Sequence, residues 1–288
     1  MPEKKGGPAV RCGGIDVGSS AIKVAVVEEE TNGGELRLLA HGVERIRKRH
    51  PLTVLQELFQ GTIEDAGLSR EELDYIATTG EGELVPFRTG HFYGMTAHAR
   101  GALHLDPEAR AAVDIGALHT RAILMDERAK VLGYRMTSQC ASGSGQFLEN
   151  IGRYLGVTLE EIGPLSLQAD DPEACSSICA VLAETDVINM VSRGITVPNI
   201  IKGIHQSMAG RYLRLITSTR ASGVVMVTGG LAADVGLLQA MREAAAEQNV
   251  GVEVRAHPLS VLAGALGAAI WGAFRYRKLA EKGVSLSA

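Results

Sequence analysis

Residues 13–29 read GGIDVGSSAIKVAVVEE, and residues 111–127 read AAVDIGALHTRAILMDE. In each stretch a short apolar strand ends in Asp-x-Gly, and a second apolar strand follows after a tight turn. The two aspartates, Asp16 and Asp114, lie 98 positions apart (114 minus 16). A single Asp-x-Gly usually marks a simple turn. Two of them, each opening a hairpin, indicate an internal repeat.

The residues after each hairpin repeat the same order of elements. A third strand follows, and helices and strands then alternate. The stretch LHLDPEAR, residues 103–110, is the predicted boundary between the two copies. Strands that alternate with helices in this way predict an α/β protein.

The composition excludes several classes of function. The chain has 288 residues, of which 45% are hydrophobic, so it can bury a large core. A net charge of -4 and an aromatic content of 4% do not favour nucleic acid as a partner. No apolar run approaches the ~20 residues that span a bilayer, and MPEKKGGPAVR at the N-terminus is no secretory signal. We therefore expect a soluble, cytoplasmic protein that binds neither nucleic acid nor membranes.

The two turns carry residue types that bind phosphate. Glycine permits a close approach of the backbone to a ligand because it has no Cβ. Gly18, Ser19 and Ser20 offer backbone N–H and hydroxyl donors, and Lys23 adds a positive charge. Gly116 takes the same place in the second copy.

Two carboxylates and a later glycine pair complete the predicted site. Asp16 and Asp114 end the first strand of each copy, and carboxylates with phosphate oxygens and water are usual magnesium ligands. Gly229 and Gly230 follow a strand in VVMVTGG and are predicted to open a helix, where they accept an adenine or ribose face. Each element alone is commonly a plain turn. Together, in this order, they predict a site for ATP and magnesium with Asp16 and Asp114 as the catalytic pair.

The chain has four cysteines, Cys12, Cys140, Cys175 and Cys179. A disulfide framework is not expected in a cytosolic chain of this size, which leaves burial, metal binding and catalysis. Cys12 lies in a predicted core strand and is interpreted as packing. Cys140 precedes a small-residue turn and a predicted helix, so a buried residue, a metal ligand and a nucleophile all remain open. A nucleophile needs a histidine base, for which His119 and His205 are candidates.

These features resemble the ATPase superfamily of actin, hexokinase and the 70-kilodalton heat-shock chaperones, which places two phosphate turns and an adenosine turn in this order. Within it, SQCASGSGQFLE and SSICAVLAETDVI are similar to motifs of the BadF/BadG/BcrA/BcrD-type ATPases, and the likeness covers roughly residues 11–275. The implied fold has two RNase H-like lobes. The first is expected at 1–106, with a C-terminal helix at 259–277 packing back on it, and the second at 107–258, carrying the cluster cysteines.

The resemblance implies an ATP-dependent electron-transfer protein. The family includes activators of 2-hydroxyacyl-CoA dehydratases and the ATPase subunits of benzoyl-CoA reductase. ATTGEGE and TGHFYGMTAHARGA further resemble the smaller, delta-type subunit of that reductase. Matched residue by residue, Cys140 and Cys179 would be ligands of a 4Fe–4S cluster shared between two subunits, and Cys175 would be incidental. Such clusters typically take four thiolates, so two per chain require a partner.

The implied partners are a paralogous ATPase subunit in a heterodimer, the substrate-binding subunits of an oxygen-sensitive, dearomatizing benzoyl-CoA reductase, and ferredoxin as electron donor. ATP hydrolysis would drive low-potential electron transfer from ferredoxin through the shared cluster. A homodimeric 2-hydroxyacyl-CoA dehydratase activator is one alternative. A small-molecule kinase of the same fold, with Asp186 as the nearest base candidate, is another, and a nucleotide-binding scaffold without turnover is a third.

The second turn departs from the pattern that this resemblance implies. Activators usually continue it as Asp-Ile-Gly-Gly-Gln-Asp, whereas this chain reads DIGALHTR. Ala117 replaces the second glycine, and Leu118 and His119 replace the polar pair that positions water. The change affects residues needed for ATP turnover rather than for ATP binding, unless His119 takes over the polar role.

Overall fold

The computed structural model describes residues 9–30, 34–137, 145–175 and 180–284. The chain divides into two compact units. Unit 1 contains the residues up to His104 together with those from Leu262 onward, and unit 2 is the continuous stretch Leu105–Val261.

Unit 1 contains a five-stranded mixed sheet. Its elements are β1 (Val10–Val17), β2 (Ala21–Glu29), β3 (Leu36–Arg45), α1 (Pro51–Asp65), β4 (Tyr75–Gly80), β5 (Gly90–His91) and α2 (Gly94–Leu105), whose last residue belongs to unit 2. The strand order is β3-β2-β1-β4-β5. β2 is antiparallel to β1 and β3, and β4 is parallel to β1. Short connections join the antiparallel strands, whereas the crossover to the parallel strand β4 contains a helix.

Unit 2 contains a second five-stranded sheet with more helices. Its elements are β6 (Ala109–Ile115), β7 (Thr120–Met125), β8 (Val131–Met136), α3 (Gly145–Leu155), α4 (Leu159–Ser166), α5 (Ala180–Ser192), α6 (Val197–Thr217), β9 (Gly223–Thr228), α7 (Val235–Glu247) and β10 (Val252–Arg255). The strand order is β10-β9-β6-β7-β8. A last helix, α8 (Ala263–Glu281), belongs to unit 1 and packs on β1, β2 and β4.

The two sheets have the same topology. In each, three antiparallel strands lie on one side, and the first of them pairs in parallel with the strand on its other side. β6 to β10 therefore correspond to β1 to β5 in order. The predicted α/β class and the predicted repeat of a three-stranded meander are confirmed.

Burial explains why the central strands read as continuous apolar runs. β1 and β2 are buried at nearly every position, whereas β3 at the edge of the sheet is half-buried or exposed throughout. Helices such as α6, with twelve buried residues, provide the core of unit 2. The predicted turns project from the ends of β1, β6 and β9, three strands fixed by these cores.

The helix after Gly229 and Gly230 begins later than the sequence predicts. It starts at Val235 because Asp234 caps it, accepting the N–H of Leu237 at 2.9 Å. The prediction that the glycine pair opens the helix directly is therefore wrong. A four-residue turn, 231–234, intervenes.

Candidate functional site

The first turn joins β1 to β2 and contains the predicted phosphate residues. The Gly18 N–H donates to Ala21 O at 3.1 Å, which closes the turn, and Ser19 and Ser20 are exposed. A Cβ at Gly18 would lie 2.8 Å from Ala21 O and 3.0 Å from the Lys23 ammonium, so glycine is required. Because the Gly18 N–H is used within the turn, the two serines are the residues that present donors to solvent.

Asp16 lies buried beside this turn and forms an ion pair with Lys23. The two residues face each other in the register of β1 and β2, with Lys23 Nζ 3.2 Å from Asp16 Oδ2. Only 6% of Asp16 and 7% of Lys23 is exposed. Both charges are largely removed from water, so each depends on the other. The sequence predicts that the positive charge of Lys23 binds phosphate. In the structure the Lys23 ammonium lies against the Asp16 carboxylate.

Three residues that the sequence analysis did not single out enclose Asp16. Gly80 ends β4 with a φ of 66°, and a Cβ there would lie 3.0 Å from Asp16 Oδ1. A Cβ at Gly264, in α8, would lie 2.9 Å from both Asp16 Oδ2 and His98 Nε2. His98, on α2, is 5% exposed. Because Gly80 and Gly264 have no side chains, β4 and α8 pack close to the Asp16 carboxylate. The buried His98 imidazole lies beside it.

The second turn repeats this geometry in unit 2. The Gly116 N–H donates to His119 O at 2.9 Å. Asp114 is 7% exposed and faces Arg121 across β6 and β7, with Arg121 Nη1 3.5 Å from Asp114 Oδ2. Arg121 stands 98 positions after Lys23 (121 minus 23), so the repeat spacing contained the signal that would have identified it.

The Gly229-Gly230 turn lies next to the second carboxylate. Thr228 pairs with Asp114 in the register of β6 and β9, and Gly229 has a φ of 86°. A Cβ at Gly229 would lie 2.5 Å from Asp114 Oδ1, whereas nothing lies within 4 Å of a Cβ at Gly230. Gly229 is required for the turn to pass the carboxylate, as Gly80 is in unit 1. Gly230 is the glycine of the pair with room for a ligand.

The hairpin of the second turn holds Thr137, the residue that follows β8. The Thr120 N–H donates to Thr137 Oγ1 at 3.2 Å, and the Thr137 N–H donates to Thr120 O at 2.9 Å. Residues 138–144, which include Cys140, follow directly and lie outside the described residues. Thr137 is the last described residue before Cys140, and two hydrogen bonds join it to the hairpin.

The same turn holds the first residues of α3. The N–H groups of Gly145 and Gln146 donate to the carbonyl oxygens of Gly116 and Ala117 at 2.9 and 3.0 Å. The first N–H groups of a helix have no partner within the helix, so these carbonyls satisfy them. The segment around Cys140 is thus anchored to the second turn on both sides.

The predicted cluster ligands, Cys140 and Cys179, lie outside the described residues, and their role stays a prediction. Helices begin shortly after each of them, α3 at Gly145 and α5 at Ala180. Among the side chains that the structure describes, no group of three or more His, Cys, Asp or Glu residues is placed to hold a metal ion.

The burial of Cys12, Cys175 and His205 indicates which roles each residue can have. Cys12 is fully buried, and burial raises the pKa of its thiol, which confirms its packing role. Cys175 is partly buried against the core of unit 2. His205 is fully buried between Ser166 and Asp234, so it does not serve as a base for an accessible thiol.

His119 lies half-buried at the second turn. Its Nδ1 is buried and has no hydrogen-bond partner within the described part of the chain. It is therefore not a plain surface histidine, and the polar role considered for it at this turn stays a prediction. No helix in the described ranges has the length and apolar character needed to cross a membrane.

Residues 14–272 match the BadF/BadG/BcrA/BcrD ATPase family. The chain belongs to this family. It is 60% identical over 271 residues to one of the subunits of benzoyl-CoA reductase from Thauera aromatica, and the match covers 94% of this chain and 95% of that protein. It is 33% identical over 259 residues to the activator of lactoyl-CoA dehydratase of Anaerotignum propionicum, with 90% and 95% covered.

A solved structure has the same fold. The activator of the 2-hydroxyisocaproyl-CoA dehydratase from Clostridium difficile with bound ADPNP superposes with a TM-score of 0.84 at 28% identity, covering 97% of this chain and 100% of that one. The predicted actin/hexokinase/heat-shock-chaperone-type fold is confirmed. Membership in an ATPase family implies ATP and Mg²⁺ as ligands. Glycine turns with exposed serines beside buried carboxylates fit that pair chemically.

Proposed function

We propose that this chain is the ATP-hydrolysing electron-transfer subunit of a ferredoxin-dependent benzoyl-CoA reductase. Its 60% identity to a benzoyl-CoA reductase subunit, over nearly the full length of both chains, supports this enzyme over other members of the family. The matched aspartate turns in the two units support ATP with magnesium as the nucleotide.

In this proposal each turn has its own role in binding the nucleotide. Asp16 and Asp114 would hold Mg²⁺, and each carboxylate lies beside a cross-strand cation. Ser19 and Ser20 donate to phosphate oxygens, and Lys23 adds its positive charge. The Gly229-Gly230 turn accepts the nucleoside, and the open space around Gly230 supports that assignment.

The observation that carries the electron-transfer part is the link between the second turn and the segment around Cys140. Four backbone N–H groups, those of Thr120, Thr137, Gly145 and Gln146, take part in this link. Any displacement of the turn when ATP binds or is hydrolysed therefore acts on both flanks of Cys140.

The segment that leads to Cys179 is held by α6. Asn199 Oδ1 accepts the N–H groups of Asp170 and Asp171 at 3.0 and 3.1 Å, and its Nδ2 donates to Asp170 Oδ1 at 2.9 Å. Gly203 lies against Glu173, since a Cβ there would lie 1.8 Å from the Glu173 carbonyl oxygen. The described residues before both predicted ligands are therefore bound to elements of unit 2, the second turn and α6.

Cys140 and Cys179 would supply two thiolates of a 4Fe–4S cluster, and a paralogous ATPase subunit would supply the other two. Such a cluster would supply one-electron transfer between reduced ferredoxin and the substrate-binding subunits. Cysteines at helix starts suit a negatively charged cluster, because helix N-termini carry partial positive charge. For a one-electron couple, a change of ~59 mV in reduction potential changes the equilibrium constant of electron transfer tenfold, which corresponds to ~1.4 kcal/mol.

Anaerobic purification of the chain with its partner subunits tests this proposal. We expect about four iron atoms per ATPase dimer in the wild-type complex, since the cluster is of the 4Fe–4S type. Cys140→Ser and Cys179→Ser should each reduce iron below one atom per dimer, whereas the matched control Cys175→Ser should retain it. Full iron in either of the first two variants would refute the ligand assignment.

A homodimeric activator of a 2-hydroxyacyl-CoA dehydratase is the second candidate. The 33% identity to the activator of lactoyl-CoA dehydratase favours it. The subunit composition of the iron-containing complex separates the two: a dimer of this chain alone supports the activator, and a dimer with a paralogue supports the reductase.

A further inference from the structure

Three buried polar side chains join α4, α6 and the cap of α7. His205 is fully buried, with Nδ1 2.9 Å from Ser166 Oγ and Nε2 3.3 Å from Asp234 Oδ2. The second contact is not aligned as a hydrogen bond, yet neither of its two atoms has a hydrogen-bond partner elsewhere in the described residues. A carboxylate only accepts, so Nε2 carries the proton and Nδ1 accepts the Ser166 hydroxyl.

Two glycines make room for this contact. A Cβ at Gly163 would lie 2.8 Å from Asp234 Oδ1, and a Cβ at Gly236 would lie 2.6 Å from Ser166 Cβ and 3.0 Å from His205 Nδ1. The two oxygens of Asp234 have different partners, because Oδ1 caps α7 while Oδ2 faces the imidazole. The packing therefore leaves the Asp234 side chain little freedom to move.

Asp234 is also the last residue of the turn that follows β9. Its N–H donates to Leu231 O at 3.1 Å, and the Leu231 N–H donates to Ile115 O at 3.3 Å. The Ala232 N–H donates to Gly229 O at 3.1 Å. A continuous set of contacts thus runs from α6 through Asp234 to the glycine turn.

Helix α6 also contacts the hairpin of the second turn. Tyr212 is fully buried and shares a hydrogen bond with the Thr120 side chain, and burial raises the pKa of its phenol. α6 therefore contacts the hairpin through Tyr212 and the glycine turn through His205 and Asp234. Both turns of unit 2 are therefore connected to one helix.

We propose that His205 is a positioning residue for the nucleoside end of ATP. The inference rests on the proposed assignment of the Gly229-Gly230 turn to the nucleoside. His205 is fully buried and touches no ligand. The imidazole holds the Asp234 side chain in place, and Asp234 in turn holds the Gly229-Gly230 turn. That turn contacts the nucleoside. Loss of the contact weakens binding of the nucleoside but not of the phosphates.

The test compares Mg-ATP with Mg-tripolyphosphate, which lacks the nucleoside, by titration calorimetry on the full chain. His205→Asn keeps a group near Ser166 but is too short to reach Asp234. We expect it to weaken ATP binding about tenfold, the size of a lost polar contact to a charged group, with tripolyphosphate within about twofold. The longer amide of His205→Gln reaches Asp234 and should restore ATP affinity to within about threefold.

Ser166→Ala is the matched control, since it removes the other partner of His205 and leaves the Asp234 contact. It should change ATP affinity by less than about threefold. Equal weakening of ATP and tripolyphosphate in His205→Asn, or no weakening of either, overturns the proposal. The wild-type chain tests the proposed function separately. If it binds ATP no more tightly than tripolyphosphate, the Gly229-Gly230 turn does not bind the nucleoside. The inference about His205 then fails as well.

Discussion

The first and second turns share a backbone but differ in what surrounds it. Each has an aspartate paired with a cross-strand cation and a glycine N–H that closes the turn. The first turn continues with two exposed serines. The second continues with Ala117 and the exposed Leu118, and its carbonyls hold α3. The repeat keeps the backbone of the turn in both units, while exposed hydroxyl donors remain in one and contacts to the flanks of the cysteine segment develop in the other.

The cations also differ. Lys23 is almost completely buried and lies 3.2 Å from its carboxylate, whereas the Arg121 side chain is 31% exposed and lies 3.5 Å from its own. A buried pair depends on both partners, while an exposed cation is solvated when its partner is lost. The first turn should therefore be the more sensitive of the two to loss of charge.

Loss of the Asp16 charge should have the largest effect. Asp16→Asn removes a carboxylate that we propose holds magnesium, and it leaves the Lys23 ammonium buried without its counter-ion. We expect ATPase activity to fall about 100-fold or more and the free energy of unfolding to fall by about 3 kcal/mol. Steady-state ATPase assays and urea unfolding measure the two effects.

The matched change in unit 2, Asp114→Asn, should cost only about 1 kcal/mol in stability, because Arg121 is partly solvated. Replacing both partners of the first pair, Asp16→Leu with Lys23→Met, should recover stability without activity. Equal destabilisation by the two single variants would contradict the distinction between the turns.

The glycines beside the carboxylates should come next. Gly229→Ala and Gly80→Ala each add a Cβ at positive φ within 2.5 Å of a neighbouring oxygen. We expect each to lower the free energy of unfolding by about 2–4 kcal/mol. Gly230→Ala is the control and should change stability by less than about 0.5 kcal/mol, since its Cβ meets open space. Thermal unfolding that failed to separate Gly229→Ala from Gly230→Ala would count against this geometry.

The serines should have a smaller effect, confined to the first turn. Ser19→Ala with Ser20→Ala removes two hydroxyl donors, so KM for ATP should rise about fivefold. The reciprocal change in the second turn, Ala117→Ser with Leu118→Ser, should alter KM less than about twofold. If the second pair of substitutions had the larger effect, the division of roles between the turns would be reversed.

The smallest expected effect concerns the link to the cysteine segment. Thr137→Val removes the acceptor of the Thr120 N–H and should cost about 1 kcal/mol of stability. Thr62→Val in α1 also removes one buried hydroxyl hydrogen bond, to Leu58 O at 2.7 Å, and should cost the same. Only Thr137→Val should slow ATP-dependent electron transfer in the holoenzyme, by about threefold. Equal rates in the two variants would show that the link carries no signal.

Local patterns made the strands, the helices and the order of the turns predictable. The cross-strand partner of Asp114 was also present in the sequence, because the repeat spacing leads from Lys23 to Arg121. The start of α7 was missed because the glycine pair was interpreted as the helix start, although Asp234 has the side chain of a typical N-cap.

Other parts of the site were not accessible from the sequence. Gly80, His98 and Gly264 meet around Asp16 from three different elements, and no local spacing relates them. The same holds for His205, whose partners Ser166 and Asp234 come from α4 and the α7 cap. Such contacts arise from packing between distant segments, and periodicity or turn chemistry does not encode them.

The placement of α8 has a consequence for how the polypeptide folds during its synthesis. The helix is made after unit 2, yet it packs on β1, β2 and β4 and brings Gly264 against Asp16. Unit 2 is continuous in sequence, and all of its residues are made before α8. The amino-terminal unit, although translated first, is the last to be completed, which reverses the usual vectorial order of domain folding.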